Sequence, residues 1–381
     1  MKMKVQHIII GLNVGGAELM LKRLVEASQN AGFYDHSIIS LTKIDKIGEQ
    51  LQTLGIDVQA LNMQSALDIP RVFCRLVCLI RTCKPDVVQT WMYHADFLGG
   101  LAARLAGNQN IVWGIRTTEI TLGASRVTAL VRHLCARLSH KIPRAIVCAA
   151  EASRVSHATI GYSEARMVVL PNGFDLARLV ATPAQRRGLR LQCGFDPSTV
   201  IVGYLGRFHP DKDQANFVRA AGLLAQNFPQ ARFLMVGSNL DSSNAELKDW
   251  INATVCADKF VLLGERTDVP VCLAAMDLFC LSSRTEGFPN VVGEAMAMGL
   301  PCVTTDVGDA AMLVADTGVV VPKQDAVALA EGLGKLLAMH SEERELLGRR
   351  AKSRIHEMFS MDRARERFEA LYAEITKKEA S

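Results

Sequence analysis

Phe279-Cys-Leu-Ser-Ser-Arg-Thr-Glu-Gly-Phe-Pro-Asn-Val-Val-Gly-Glu294 is the stretch from which the fold is read. Phe279 to Ser283 has the apolar character of a buried strand end. Pro289 suits the first helical position, where a missing N–H is no loss, and Asn290 to Met298 carries the helix. Strand, loop and helix in such close order are the unit of a parallel sheet wrapped by helices. The order places Glu286 at the strand-to-helix junction, beside free backbone N–H groups. Glu294 follows on the helix, seven residues intervening. Carboxylates accept hydrogen bonds from hydroxyls, and N–H groups at a helix start attract anions. A nucleotide-activated sugar offers both kinds of group.

The same grammar recurs outward in both directions. Val5 to Leu12 is an apolar run, followed by Asn-Val-Gly-Gly16 and a helical pattern through Ala27. Apolar runs at 36–41, 86–90, 111–115 and 145–149 accompany helical patterns at 71–83, 95–106 and 126–140. The pattern restarts at Val200-Ile-Val-Gly-Tyr-Leu-Gly206. Further strands are expected at 232–237, 260–263, 277–281 and 301–304, with helices at 213–227, 243–253, 290–298 and 325–338. The Pro-, Arg- and Gly-rich stretch 171–197 reads as the linker, and 362–377 as a final helix set off by Phe359-Ser360. The expected domains are 1–175, with the C-terminal helix 361–381 packing back on it, and 176–360. Ligands of such folds sit at the carboxyl ends of the strands.

A chain of 381 residues is long enough for two such cores. Hydrophobic content of 49% with 22% charged residues is that of a soluble globular protein, and no apolar run has the length of a membrane span. The apolar part of the N-terminal MKMKVQHIIIGL is short for a secretory signal, so a cytoplasmic location is expected. Ten scattered cysteines without a C-x-x-C pair read as small side chains in a reducing compartment; Cys74, Cys78 and Cys83 lack neighbouring ligands for a metal. Charge is uneven. Residues 1–180 hold 20 Lys and Arg against 13 Asp and Glu, whereas residues 181–381 hold 23 against 26. The basic half suits an anionic surface or acceptor. Nucleic acid is excluded by an aromatic content of 6% and the want of a binding motif. Within the basic half, 126–144 carries Arg126, Arg132, His133, Arg137, His140, Lys141 and Arg144 among leucines and valines. That pattern fits either a helix lying on anionic headgroups or a half-buried helix with a solvated face.

Gly203-Tyr-Leu-Gly-Arg-Phe-His-Pro-Asp-Lys-Asp213 follows a strand and opens a helix. Arg207 offers a fork and Lys212 a compact charge, and both reach one diphosphate across the turn. A pair of solvated surface bases is the plainer reading. Gly15 and Gly16 let a backbone approach phosphates after the first strand, or simply form a tight turn; the dinucleotide fingerprint is absent. His94 follows the strand Val87–Trp91 and precedes a helix, where it meets a ligand or merely caps and packs; Arg116 ends the strand Ile111–Ile115 and meets a ligand or is a plain surface arginine.

Taken in order, these stretches resemble the retaining glycosyltransferases of family 4. The resemblance runs from His7-Ile-Ile-Ile-Gly-Leu-Asn-Val-Gly-Gly-Ala-Glu18 through Lys84-Pro-Asp-Val-Val-Gln-Thr90, Leu170-Pro-Asn-Gly-Phe-Asp175, Gly203–Asp213 and Ser282–Glu294 to Thr305-Asp-Val-Gly-Asp309 and Gly318-Val-Val-Val-Pro322. It implies the α/β GT-B fold, two Rossmann-like domains facing a cleft. It implies that Arg207 and Lys212 bind the donor diphosphate and Glu294 the ribose. Glu286 would meet the transferred sugar, with backbone at Gly287 and Phe288. Gly15 and Gly16 would shape the cleft, His94 would lie near the reacting centre, and Leu263-Gly-Glu-Arg266 would lie by the base. Asp309-Ala-Ala-Met-Leu departs from the glutamate many relatives carry there.

The resemblance further implies a nucleoside diphosphate sugar as donor, UDP rather than GDP, with no divalent metal and no cofactor; the donor loop is read as lacking an Asp-x-Asp motif. The expected acceptor is a polyprenyl-diphosphate-linked glycan at the inner face of the cytoplasmic membrane, in cell-surface polysaccharide biosynthesis. The rivals are an epimerase or phosphorylase of the same shape, which lacks an evident acid/base set here, and a catalytically silent binding subunit.

Overall fold

The computed structural model describes residues 2–118 and 125–377. The chain divides into two compact units, Met1–Gly173 with Met361–Ser381, and Phe174–Ser360.

The first unit holds seven parallel strands: β1 (Met3–Ile9), β2 (Tyr34–Ser40), β3 (Asp57–Ala60), β4 (Val87–Trp91), β5 (Ile111–Ile115), β6 (Ala145–Cys148) and β7 (Met167–Val169). Their order is β3-β2-β1-β4-β5-β6-β7. β4, β5 and β6 are buried at every residue, which is why they read as unbroken apolar runs. On one face, helices Gly16–Ala31, Asp45–Thr53 and Met361–Lys377 bury Leu21, Leu51 and Phe368 against the sheet. On the other, helices Ile69–Cys83, Tyr93–Leu105 and Arg126–Leu138 bury Leu76, Ala102 and Cys135. The closing helix is pinned by its own polar groups as well. Tyr372 donates to Gln89 Oε1 at 2.5 Å, and Phe368 stacks on Trp91 with centroids 6.4 Å apart.

The second unit holds six parallel strands: β8 (Val200–Leu205), β9 (Ala231–Val236), β10 (Phe260–Leu262), β11 (Leu278–Leu281), β12 (Cys302–Thr305) and β13 (Gly318–Val321), in the order β10-β9-β8-β11-β12-β13. Its core gathers Tyr204, Phe217, Phe233, Leu278, Val303 and Leu333. In both sheets the chain reverses its direction of growth once, between β1 and β4 and between β8 and β11. Loops leaving the two strands at such a switch point splay apart and leave room for a ligand.

Two expectations are corrected. The linker 171–197 is not a plain connector, because Pro183–Gln192 is a helix opened by a Thr182–Gln185 capping box. It is fastened to the second sheet where Arg186 Nη2 and Arg190 Nη1 pair with Asp277 at 2.7 and 3.1 Å. Pro289 is the residue before the helix, not its first turn: its ψ of 86° is not helical, and the helix is Asn290–Ala297. Short or polar elements absent from the sequence reading complete the units, among them β3, β7, β13 and helices Glu151–Thr159, Val269–Ala275 and Ser341–Met358.

Candidate active site

The loops after β8 and β11 meet at the second unit's switch point. Lys212 Nζ donates to Glu286 Oε1 at 2.6 Å, and Ser283 Oγ donates to the same oxygen at 2.6 Å. The pair is mostly shielded, with 24% of the Lys212 side chain and 11% of that of Glu286 exposed. Backbone lacing holds the two loops in register. Ser282 Oγ donates to the carbonyls of Lys212 and Asp213, both at 3.0 Å, and the Arg284 N–H donates to Asp211 O at 2.7 Å. Asp213 takes a left-handed φ of 47° and is gripped by Arg284, whose Nη2 donates to Oδ1 at 3.0 Å. Arg207, at the start of the same loop, is exposed and has no side-chain partner among the described residues. Lys212 spends one of its three N–H donors on Glu286 and keeps two. One unengaged guanidinium and one partly engaged ammonium on a single loop are donors for a polyanion.

A third loop, after β12, braces Glu286 and Gly287 from behind. The Asp309 N–H donates to Gly287 O at 2.9 Å, and Thr305 Oγ1 donates to Ser283 O at 2.8 Å. Gly308 has φ 53°, and a Cβ there would stand 2.3 Å from Gly287 O, so no side chain fits. Phe288 is buried against Phe174 and Phe359. Glu294 is half-buried on the helix that follows. Arg266 stands apart from this cluster. It forms a fork with Asp268, Nε to Oδ1 at 2.8 Å and Nη2 to Oδ2 at 2.6 Å, and that pairing raises the arginine pKa and lowers the aspartate's. Its loop still joins the same end of the sheet, since the Gly237 N–H donates to Gly264 O at 2.8 Å.

The sequence reading passed over Asp211-Lys212-Asp213, which has the Asp-x-Asp spacing of a metal motif. Asp213 is committed to Arg284, and Asp211 Oδ2 lies 3.3 Å from His209 Nδ1. Among the described residues no group of three His, Cys, Asp or Glu side chains is placed to hold a metal. Ser282, Ser283, Asp213 and Arg284 were missed as site residues, although all lie inside the two quoted motifs; the Ser-Ser-Arg run directly after an apolar strand was the available signal.

In the first unit, Gly15 caps helix Gly16–Ala31 in extended conformation, and Gly16 faces open space, with nothing within 4 Å of a notional Cβ. Glu18 folds back over Gly15, and burial raises its carboxyl pKa. His94 lies in the first turn of helix Tyr93–Leu105, half-buried, with its pKa lowered by desolvation. The turn before it is strained. Met92 has φ 71° and ψ 160°, a region that costs a side-chain-bearing residue roughly 1–3 kcal/mol. Met92 is held there by its N–H, which donates to Gly114 O at 2.8 Å, and by its carbonyl, which accepts from the Asp96 N–H at 2.9 Å. Arg116 lies over Trp91 at 4.8 Å and donates to Asn172 Oδ1 at 3.1 Å; burial pulls its pKa to about 10. Its Nε and Nη2 are buried without a hydrogen-bond partner among the described residues.

Two family models match the chain. "Glycosyltransferase Family 4" covers residues 14–178, and "Glycosyl transferases group 1" covers residues 199–339. The UDP-Gal:alpha-D-GlcNAc-diphosphoundecaprenol alpha-1,3-galactosyltransferase of Escherichia coli is 25% identical over 80% of this chain and 80% of its own. A GDP-mannose-dependent monoacylated alpha-(1-6)-phosphatidylinositol monomannoside mannosyltransferase of Corynebacterium glutamicum is 33% identical over 44% of this chain and 46% of its own. Among solved structures, Anabaena Alr3699/HepE in complex with UDP superposes with a TM-score of 0.85 at 21% identity, over 98% of this chain and 100% of that one.

Proposed function

From the premise that the chain belongs to the group 1 and family 4 glycosyltransferases of GT-B fold, we propose that it moves a sugar from UDP to a lipid-linked glycan with retention of anomeric configuration. The observation that carries the reading is the Lys212–Glu286 pair at the switch point, with Arg207 unengaged on the same loop. In this reading the diphosphate of the donor takes Arg207 and the remaining donors of Lys212, while Glu286 orients sugar hydroxyls and Glu294 the ribose. The bond from the anomeric carbon to the phosphate oxygen breaks first. The cations stabilise the charge that grows on the departing diphosphate, and the Glu286 carboxylate stabilises the oxocarbenium-like carbon. The acceptor hydroxyl attacks from the side the diphosphate leaves, and its proton passes to a phosphate oxygen. No enzyme ester forms, unlike the two-carboxylate hydrolases.

The UDP assignment draws on HepE, which was solved with UDP and with UDP-glucose, and on the E. coli galactosyltransferase. The latter also suggests the acceptor class, a glycan on a polyprenyl diphosphate. The corynebacterial relative names GDP-mannose, so the base needs its own test. A metal-independent reaction fits the commitment of Asp213 to Arg284. A peripheral position at the inner membrane face fits such an acceptor. The decisive experiment combines a thermal-shift panel of UDP, GDP and ADP with turnover of Lys212→Ala. UDP raises the melting point most. Loss of Lys212 removes about 3–4 kcal/mol of transition-state stabilisation, a hundredfold or more in kcat/KM, with the fold intact. Wild-type-like turnover in that variant would sink the assignment.

A further inference from the structure

Resting on that reading, we infer that Arg116 is a binding residue for the acceptor, its guanidinium taking a phosphate of the lipid-linked diphosphate. Arg116 directly follows β5. Trp91 ends β4, Cys148 ends β6, and Asn172 lies in the loop after β7. In a parallel sheet all four stand at the carboxyl edge, where ligands of this architecture bind. Three neighbours hold the guanidinium. Its carbon lies 4.8 Å from the Trp91 ring centre and 5.5 Å from that of Phe368, and Nη1 donates to Asn172 Oδ1 at 3.1 Å. Nε and Nη2 are left over, buried and without a hydrogen-bond partner among the described residues. Those two nitrogens form one edge of the planar group. Their N–H bonds run parallel and grip two oxygens of a carboxylate or phosphate at once. Arg266 gives the same edge to Asp268, Nε to Oδ1 and Nη2 to Oδ2. In Arg116 that edge is unengaged.

The charge is unmatched as well. The groups that act on it are Tyr372 and Cys148, a phenol and a thiol that burial keeps protonated; among the described residues no carboxylate does. Desolvation lowers the arginine pKa only to about 10, so a cation stands here at neutral pH. The two rings offset part of the cost of burying it, but they offer no oxygen in the plane of the N–H groups. Packing alone would be served by an apolar side chain of similar length, with no orphaned donors. An oxyanion supplies both the missing oxygens and the missing negative charge, and low surrounding polarity strengthens the pairing. The residue as a whole is partly exposed, so a ligand reaches the guanidinium through a small shift of its neighbours. Two diphosphates take part in the proposed reaction. The donor's is met by Arg207 and Lys212 in the second unit, which leaves the acceptor's for the first.

The test titrates the full chain with geranyl diphosphate and with inorganic phosphate at matched ionic strength, following melting point and tryptophan emission. UDP is present at saturation, so that the second unit's cations are occupied. Wild type responds to geranyl diphosphate in both signals, because the guanidinium lies against Trp91. It binds geranyl diphosphate at least about tenfold more tightly than inorganic phosphate, which distinguishes a lipid diphosphate from the free ion. Arg116→Met keeps the length without the charge and folds, as its retained UDP-induced rise in melting point shows. Its affinity for geranyl diphosphate falls about tenfold or more. Arg116→Lys keeps the charge but not the fork and loses about threefold or more, which decides the matter if the Met variant does not fold. No response of wild type to geranyl diphosphate, equal affinity for inorganic phosphate, or wild-type affinity in either variant overturns the assignment of Arg116. Absence of a UDP response in wild type overturns the transferase reading instead, whatever geranyl diphosphate does.

Discussion

Asp96 lies sealed beneath the strained turn that carries His94. Its Oδ1 accepts from Thr90 Oγ1 at 2.5 Å and from the Gly114 N–H at 3.3 Å, while Oδ2 has no partner. Burial pushes its carboxyl up to about 8, so the acid is neutral at physiological pH. A pKa raised on folding gives stability that is full below the unfolded value and is lost as pH rises through about 8. Asp96→Asn keeps the shape and the accepting oxygen and removes the titration. It should exceed wild type by about 3 kcal/mol at pH 6 and by more at pH 9, because the unfolded wild type already gives up its proton above 3.8. Asp96→Ala orphans Thr90 and Gly114 and should fall about 2–4 kcal/mol below the Asn variant at both. Denaturant melts at the two pH values decide; an Asn variant as weak as the Ala variant would refute a neutral carboxyl. Asp96 also marks the limit of residue-level reading. Lys212, Glu286 and Arg207 were legible because short motifs fix their place on loops. Their partnership was not: Lys212 and Glu286 lie 74 positions apart and meet only because β11 crosses to lie beside β8.

Among the elements, the buried parallel strands and the long amphipathic helices were legible, since continuous apolar runs and three-to-four spacing are strong local signals. What escaped was polar or short. Pro183–Gln192 buries only Leu189 and Arg190, so it shows almost no apolar stripe, and its Pro, Arg and Gly content imitates a linker. Its Thr182-Pro-Ala-Gln185 capping box was the signal to heed. Helix Asn290–Ala297 shows how packing behind an element positions the side chain it carries. Its Gly293 lies against Phe174, and a Cβ there would stand 2.0 Å from Phe174 Cζ. Phe174 is fully buried and also meets Phe288, so the ring has nowhere to retreat and the helix must move. Gly293→Ala should therefore cost about 1–3 kcal/mol and weaken UDP binding, because Glu294 travels with the helix. Calorimetric titration with UDP alongside a melt tests both; unchanged UDP affinity in a destabilised variant would free Glu294 from any role in holding the nucleotide.

Across the whole chain, buried histidines are confined to one unit. His7 and His36 share a hydrogen bond of 2.9 Å inside the first core, and His157 accepts from or donates to Tyr93 Oη at 2.7 Å. Trp91 Nε1, which only donates, bonds His7 Nδ1 at 3.2 Å, so His7 carries its proton on Nε2 and passes it toward His36 Nδ1. Desolvation lowers all three, His36 and His157 to about 4. His209, His340 and His356 of the second unit are not buried. Groups whose pKa is depressed on folding give stability that is present above their unfolded value of 6.5 and is lost as pH falls toward 4. Asp96 acts in the opposite sense over the same range, since only the folded chain holds its proton between about 8 and the ordinary carboxylate value of 3.8. Three imidazoles against one carboxyl leave the first unit weaker at pH 5 than at pH 7.5, with its transition at a lower temperature. Buried Trp91 and Trp113 report that unit by fluorescence, and Trp250 belongs to the other. Scanning calorimetry at the two pH values should show the first unit's transition descending away from the second. In Asp96→Asn the descent should be steeper, because the opposing carboxyl is gone. A first-unit transition that stays fixed between pH 7.5 and 5 would mean that folding does not depress the three imidazoles enough to outweigh the carboxyl.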